Sequence, residues 1–129
     1  TAECANIDAI LIPEKNAAAI NGDAIKTSAG ALHRIKVCRT WNLTLALQFM
    51  KNSGIQIIAC TEKTEKTIYK SDYTIPTAII MGSEENGIST EYLNISDTKV
   101  KIPLNGKIQS LNVSVASGII LYEVLRQRN

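Results

Sequence analysis

Short apolar runs that alternate with segments of helical pattern constrain the fold of this chain more than any other feature. Four runs are rich in hydrophobic residues and bounded by turn or polar residues, and we predict that they are buried strands: residues 7–12, 55–60, 77–81 and 100–102. A fifth segment, residues 35–39, alternates apolar and basic side chains, as a half-exposed strand does. This order predicts an α/β fold, a mostly parallel sheet with helices on both faces, in one domain spanning residues 1–129.

Helix signals lie between these runs. Asn42 is a good N-cap residue for a helix from Leu43 to Ser53, and Gly54 is suited to end it. The last helix is apolar on nearly all sides up to Leu125, so we predict that it is buried on more than one face and needs a second covering surface. A partner subunit is the simplest such surface, and a missing part of the chain is the alternative. This last helix is predicted at residues 111–126, and two further helices are predicted at residues 16–31, in part, and 89–94.

The composition is that of a globular protein, with 45% hydrophobic and 20% charged residues. No apolar run approaches the roughly 20 residues of a membrane helix, so we expect no membrane partner. The net charge of +2 neither indicates nor excludes nucleic acid. Cys4, Cys38 and Cys60 have no Cys-x-x-Cys spacing and there is a single histidine, which predicts buried reduced thiols in a cytoplasmic protein and no metal site.

Polar residues follow three of the predicted strands at their carboxyl ends. Thr61 follows the run 55–60, the loop 82–87 follows 77–81, and residues 103–112 follow the last run. In parallel sheets, ligands bind beyond the carboxyl ends of the strands. The topology therefore predicts that a ligand site is built from these three segments.

The loop from Gly82 to Gly87 has two glycines but is not a phosphate-binding loop. Ile88 and Ser89 stand where Lys and Ser or Thr would be required, and Glu84 lies inside the loop, where it would repel phosphate. One interpretation is a tight turn that needs glycine. The other is that Gly82 lets a ligand approach the backbone while Glu84 orients nearby donors.

The stretch from Ile102 to Ala116 combines a strand end, an Asn-Gly turn and the start of an apolar helix. Ser110 and Asn112 are typical N-cap residues, and capping is the structural interpretation. The functional interpretation adds that both side chains face the crevice at the strand ends.

A basic stretch lies near the middle of the chain, formed by Lys26, His33, Arg34, Lys36 and Arg39. A solvated face is the favoured interpretation. RNA is the alternative. Only 5% of the residues are aromatic, which does not indicate a base-stacking platform.

Taken together, residues 79–88 and 102–116 resemble the second and third motifs of the SpoU (TrmH-type) RNA ribose 2′-O-methyltransferases of the SPOUT superfamily. The resemblance extends over essentially the whole chain. It implies an α/β knot in which the C-terminal segment is tucked through a loop, a homodimer with the knot at its interface, S-adenosylmethionine as cofactor, and transfer RNA or ribosomal RNA as substrate.

The resemblance also implies roles for individual residues. The cofactor would be held mostly by backbone groups at Gly82, Ile102 and Leu111, with Thr61 as a further cofactor-binding position. The conserved polar positions of the active site, counted here as catalytic, match Glu84, Ser110 and Asn112.

The chain departs from the family pattern at its beginning. The Arg of the first motif, the proposed base for the ribose hydroxyl, would precede Thr1, and the first strand would precede it too. We therefore expect an N-terminally incomplete catalytic domain that lacks one catalytic group. Two alternatives remain open: a non-catalytic knotted module for dimerisation or RNA binding, and an enzyme that binds another nucleotide in the same crevice.

Overall fold

The computed structural model describes residues 1–14, 34–83 and 85–129. Within these ranges the chain forms five strands, three α-helices and a short 3-10 helix at Ile68–Lys70. The predicted helix at 16–31, the basic residues Lys26 and His33, and Glu84 lie outside the described residues. In chain order the elements are β1 Ala9–Pro13, β2 Lys36–Thr40, α1 Leu43–Asn52, β3 Gln56–Cys60, β4 Thr77–Met81, α2 Thr90–Ile95, β5 Thr98–Val100 and α3 Val113–Arg128.

All of the strand pairs in the described residues are parallel, which confirms the predicted α/β class. β1 pairs with β2, with Leu11 opposite Cys38. β3 lies between β4 and β5, so that Ile58 is opposite both Ile79 and Thr98. Parallel neighbours require long crossover connections. Between β3 and β4 this connection is residues 61–76, which include the 3-10 helix.

The core is built around β3, because this strand has a neighbour on each edge. Ile58 packs with Ile68, Tyr73, Val100 and Ile120, all fully buried, so one face of the sheet is covered by α3 and the 3-10 helix. On the other face, the fully buried Ala59 packs with residues of and near α2, namely Ile88 and Leu93. The prediction that residues 55–60 form a buried strand is confirmed.

β1 and β4 are less buried than their hydrophobic sequences predict. The three central residues of β1 are half-buried and both of its ends are exposed. All five residues of β4 are half-buried, because β4 is an edge strand of its sheet. The prediction of full burial was wrong for both strands, since hydrophobicity indicates a strand but not how many neighbours cover it.

β5 begins and ends two residues earlier than predicted. Asp97 sets its start, because the Ile57 N–H donates to the Asp97 carboxylate at 2.8 Å and the Asp97 N–H donates to the Ile57 carbonyl at 2.8 Å. Beyond Val100, Lys101 makes an isolated bridge with Thr67. Ile102 therefore lies outside the strand, in the loop that follows it.

Helix α1 begins and ends as its sequence predicts. The Asn42 side chain accepts a hydrogen bond from the Leu45 N–H at 3.0 Å, which is an N-cap. Gly54 follows the helix with a φ of +89°, a conformation that favours glycine.

Among the described residues of the single chain, the sheet covers helix α3 on one side. Within it only Ile120 and Glu123 are buried, while Val115 and Tyr122 are each 52% exposed. The burial of α3 on more than one face by a second covering surface stays a prediction.

The last turns of α3 clamp the loop that precedes β4. The Arg126 guanidinium donates to both oxygens of the buried Glu123 carboxylate, at 2.9 and 2.7 Å, and lowers the pKa of that carboxyl group. Gln127 accepts from the Tyr73 N–H at 2.8 Å, and Arg128 donates to the Tyr73 carbonyl at 2.7 Å. These hydrogen bonds of Glu123, Arg126, Gln127 and Arg128, called here the polar clamp, hold the end of α3 against the loop that contains Tyr73.

The three cysteines are free thiols, but they are not all buried. Cys4 is exposed, so the prediction of burial was wrong for this residue, while Cys38 and Cys60 are half-buried. Burial, with the nearby Glu62 carboxylate, raises the pKa of Cys60 to about 11. Within the described ranges, no helix is long and apolar enough to cross a membrane, and no three metal-ligating side chains cluster.

Candidate active site

A cavity of about 890 Å³ lies beyond the carboxyl ends of β3, β4 and β5. Its volume lies within the range of roughly 300–1,000 Å³ that is usual for ligand pockets. The loop that follows β4 forms one wall, and the segment between β5 and α3 forms another. The sequence-predicted residues among those that line it are Thr61, Gly82, Ile102, Ser110, Leu111 and Asn112.

The loop after β4 is a tight turn held by its own backbone. The Gly87 N–H donates to the Ser83 carbonyl at 2.9 Å, and the Ser83 N–H donates to the Gly87 carbonyl at 3.3 Å. The Asn86 N–H donates to the Ser83 hydroxyl at 3.0 Å. Gly87 has a φ of +66°, so the structural interpretation of this glycine pair as a turn is confirmed.

Gly82 is needed where it stands because the loop folds back onto it. A Cβ atom at Gly82 would lie 2.5 Å from the Gly87 carbonyl carbon and 2.7 Å from the Ile88 nitrogen. The sequence suggested that a ligand approaches this backbone, but the close neighbour in the structure is the chain itself. Gly82 thus shapes the wall of the cavity by allowing the turn to close.

The opposite wall carries Ser110, Leu111 and Asn112 immediately before α3. The Asn112 side-chain oxygen accepts from the Ser114 N–H at 2.8 Å and from the Val115 N–H at 3.3 Å, so it caps the helix as predicted. Because this oxygen serves the cap, Asn112 would act on a ligand through its amide N–H groups. The capping interpretation of Asn112 is confirmed and the residue lines the cavity, while its role towards a ligand stays a prediction.

Thr61 joins the floor of the cavity to the sheet. Its N–H donates to the Val100 carbonyl at 2.8 Å, and its hydroxyl accepts from the Lys63 N–H at 3.2 Å. The residue is buried, and it lines the cavity where β3 ends. It holds the ends of β3 and β5 in register beneath the site.

The charged residues at the cavity are mostly acidic. Glu62 and Glu85 line it, and Lys101 pairs with Glu65 at 3.2 Å. Such a lining favours a cationic ligand over a phosphate. Sequence reasoning did not single out Met81, Ile108 or Gln109, which also line the cavity. Each of them adjoins a predicted site residue or lies in the same loop, and this adjacency is the signal that could have found them.

Glu84 lies outside the described residues, so its predicted role stays a prediction. The other site residues predicted from the two motif blocks line one cavity, although more than twenty positions of sequence separate Gly82 from Ser110.

Comparison with known proteins agrees with this arrangement. The sequence profile described as the SpoU rRNA Methylase family matches residues 1–122. The chain belongs to the SpoU rRNA methylase family. The family resemblance indicated by residues 79–88 and 102–116 is therefore confirmed, and it extends over nearly the whole chain.

Two relatives illustrate the similarity. The chain is 34% identical over 128 residues to the 23S rRNA (guanosine-2′-O-)-methyltransferase RlmB of Ralstonia nicotianae, covering 99% of this chain and 51% of the relative. It is 35% identical over 129 residues to a putative TrmH family tRNA/rRNA methyltransferase, YacO, of Bacillus subtilis, covering 100% of this chain and 52% of the relative. The SpoU-family chain thus spans about half the length of these relatives.

Solved structures share the fold. The TrmH/SpoU tRNA modifying enzyme of A. aeolicus superposes with a TM-score of 0.87 at 35% identity, covering 98% of this chain and 64% of that one. The SpoU methyltransferase AviRb of Streptomyces viridochromogenes, in complex with the cofactor AdoMet, has a TM-score of 0.89 at 24% identity, covering 98% and 52%. The second likeness concerns the fold alone.

Proposed function

We propose that the chain is the catalytic domain of an RNA ribose 2′-O-methyltransferase that uses S-adenosylmethionine. One observation carries the proposal: the two motif loops, Gly82 to Ile88 and Ile102 to Asn112, form two walls of one cavity at the strand ends. The relatives named above as rRNA and tRNA methyltransferases support the same reaction.

The cavity fits S-adenosylmethionine in size and charge. Apolar side chains such as Met81, Ile88 and Leu111 line it, as a ligand with an aromatic base requires. The carboxylates of Glu62 and Glu85 lie where they can attract a cationic ligand. The same carboxylates disfavour the alternative of a nucleotide bound through its phosphates. The AviRb structure with AdoMet is a similar fold that holds this cofactor.

When bound, the cofactor supplies an electrophilic methyl group on a sulfonium sulfur. The chain then has to place a ribose hydroxyl in line with that methyl group and keep water away. The chain would hold the ribose oxygen so that its bond to the methyl carbon forms as the carbon–sulfur bond breaks, and the hydroxyl proton would pass to a base. Loss of the sulfonium charge means that no strong oxyanion site is required.

We assign positions in this reaction to the polar residues of the two walls. Ser110 and the amide of Asn112 stand at the mouth of α3, where they can donate hydrogen bonds to the ribose. We keep Glu84 as the third such position on the strength of the motif. Thr61, Gly82, Ile102 and Leu111 would hold the cofactor, mostly through backbone groups.

We also propose that the protein is a homodimer with the α/β knot of the family. Val115 and Tyr122 on α3 are each 52% exposed, and a second copy would cover them. Sedimentation velocity of the full-length protein should give a dimer, and a monomer at micromolar concentration would contradict this part of the proposal. We place the protein in the cytoplasm, with its RNA substrates.

Isothermal titration of the full-length protein with S-adenosylmethionine tests the site. We expect saturable binding at one site per subunit. A second assay measures transfer of labelled methyl groups to RNA from a strain that lacks the protein, with the modified nucleotide then mapped. A folded protein that binds no S-adenosylmethionine would refute the proposal, whereas binding without transfer would favour a non-catalytic module.

A further inference from the structure

Helix α1 and the end of β2 expose large apolar side chains that the cavity does not use. Trp41, Leu45 and Phe49 are 81%, 59% and 73% exposed. Leu45 and Phe49 are four residues apart and lie on one face of α1, while Trp41 immediately precedes its N-cap residue. A grouped set of exposed apolar side chains usually marks an interaction surface.

The same part of the chain is positively charged. Residues 34–52 contain four basic and no acidic side chains, and the Glu91 carboxylate contacts α1 from the next helix, where it accepts from the Thr44 hydroxyl at 2.6 Å. Lys51 pairs with Asp97 at 3.4 Å, and Arg34, Lys36 and Arg39 are exposed. Glu14 is an exposed acidic residue that the structure places beside this segment, where its N–H donates to the Thr40 carbonyl at 2.8 Å.

We propose that Arg39, Trp41, Leu45 and Phe49, called here the α1 platform, dock a single-stranded stretch of the substrate RNA. This inference rests on the proposed function, because it presupposes an RNA substrate. Exposed aromatic side chains beside cations bind single-stranded nucleic acid, since bases stack on the rings while the cations attract phosphates. A duplex offers no such contact, because its base faces are stacked inside.

The platform reverses an expectation from composition. The small number of aromatic residues argued against base stacking, yet the only tryptophan and the only phenylalanine of the chain are both largely exposed and lie in this positively charged segment. What matters for stacking is where the aromatic side chains lie, not how many there are.

The alternation of side chains along β2 supplies a matched control. Arg39 and Lys36 are three residues apart in a strand, so they lie on opposite faces of it. Trp41 follows Arg39 by two residues, just after the strand ends. Both basic residues are exposed, but only Arg39 belongs to the platform.

Trp41 makes the test direct, because it is the only tryptophan and its fluorescence reports on the platform. The full-length protein is titrated with a short oligouridylate and, separately, with duplex RNA of the same length. We expect quenching by the single strand and not by the duplex. Phe49→Ala should weaken binding about tenfold, as loss of one stacking contact does. Arg39→Gln should weaken it and reduce the salt slope by about one.

Two variants serve as controls. Lys36→Gln removes an exposed charge from the opposite face of β2, and Tyr69→Ala removes an aromatic ring that is 55% exposed elsewhere. Both should leave the quenching curve nearly unchanged. Unchanged fluorescence of the native protein on addition of the single strand would overturn the proposal, and this measurement does not depend on whether a variant folds.

Other outcomes separate this inference from the proposed function. If the protein binds S-adenosylmethionine and methylates RNA while Phe49→Ala binds the oligouridylate normally, only the platform is wrong. If no S-adenosylmethionine binds but Trp41 is quenched, the platform stands and the proposed enzyme does not. If Phe49→Ala dissociates a dimer in sedimentation without RNA, the surface is a protein interface and the platform is refuted.

Discussion

Strands β1 and β3 have similar sequences and different surroundings. β1 reads AILIP and β3 reads QIIAC, and both are short and apolar. The three central residues of β3 are 0% exposed because β4 and β5 flank it, whereas every residue of β1 is at least partly exposed. The comparison teaches that an apolar run determines that a strand forms, and that its neighbours determine how deeply it is buried.

The two regions also differ in what they present to ligands. The three-stranded sheet around β3 supports the cavity at its carboxyl ends. The region of β2 and α1 supports an open surface with exposed side chains instead. A rigid core suits the close positioning of a small cofactor, while an open surface suits a large partner.

The largest effect should come from the core of the three-stranded sheet. Ile58→Ala removes a fully buried side chain that packs against four other buried residues, so it should cost about 2–5 kcal/mol in the free energy of unfolding. Ile10→Ala, at the half-buried centre of β1, should cost about 1 kcal/mol. Urea denaturation measures both free energies of unfolding. Equal losses in the two variants would show that the neighbours of a strand do not determine how much its side chains contribute.

Gly82→Ala should have the next largest effect, and it acts on the wall of the cavity. The new Cβ would lie 2.5 Å from the Gly87 carbonyl carbon, so the turn must shift at a cost of about 1–3 kcal/mol. We expect weaker binding of S-adenosylmethionine by calorimetry. Gly106→Ala, in the opposite wall, is the matched control because a Cβ there meets nothing within 4 Å. If the two variants bind S-adenosylmethionine with similar affinity, the turn does not shape the site.

Asn112→Ala tests whether Asn112 contributes to methyl transfer in addition to capping α3. Loss of the hydrogen bonds to Ser114 and Val115 should destabilise the protein by about 1 kcal/mol. Methyl transfer should fall further than this loss of stability explains. Asn112→Ser restores a capping side chain without the amide, so it should recover stability but not the rate of transfer. A variant Asn112→Ala with full activity would place this residue outside the active site.

The smallest effect concerns the clamp at the end of α3 and depends on pH. The hydrogen bond from Arg126 lowers the pKa of Glu123 below its ordinary value of 4.5. A carboxyl group with a lowered pKa stabilises the fold above that ordinary value and loses this contribution as the pH falls through the lowered pKa. Glu123→Gln should therefore lower the melting temperature at neutral pH, and the difference from the native protein should shrink below a pH of about 4.5.

Glu65→Gln is the control for the clamp. The Glu65 carboxylate is 98% exposed and pairs with Lys101 at 3.2 Å, and such surface pairs contribute little. Its melting temperature should follow that of the native protein at every pH. If the melting temperatures of Glu123→Gln and the native protein differ by the same amount from neutral to acid pH, the clamp acts through packing and not through charge.

Local patterns predicted much of the fold and of the site. Asn42 and Asn112 cap α1 and α3 as expected, because an N-cap depends on a few neighbouring backbone groups. The strands at 55–60 and 77–81 form within one residue of their predicted bounds. Pairing the two motif blocks also predicted residues that line one cavity, because parallel strands bring their carboxyl ends to one edge.

Other features depend on contacts between residues far apart in the sequence. The start of β5 was misplaced because Asp97 pairs with Ile57, forty positions away. The burial of Glu123 was not foreseen because its partner Arg126 matters only once α3 packs on the sheet. The exposure of Trp41 and Phe49 was missed because hydrophobicity alone predicts burial.

The sequence by itself determined the types of element, the caps of the helices and the two loops that carry the family motifs, because each follows from chemistry within a few residues. The tertiary structure alone decided that β3 is the covered strand, that Gly82 is required by the backbone of Gly87, and that Trp41 and Phe49 are exposed to solvent. Burial and close approach depend on which distant segments become neighbours, and no local pattern specifies them.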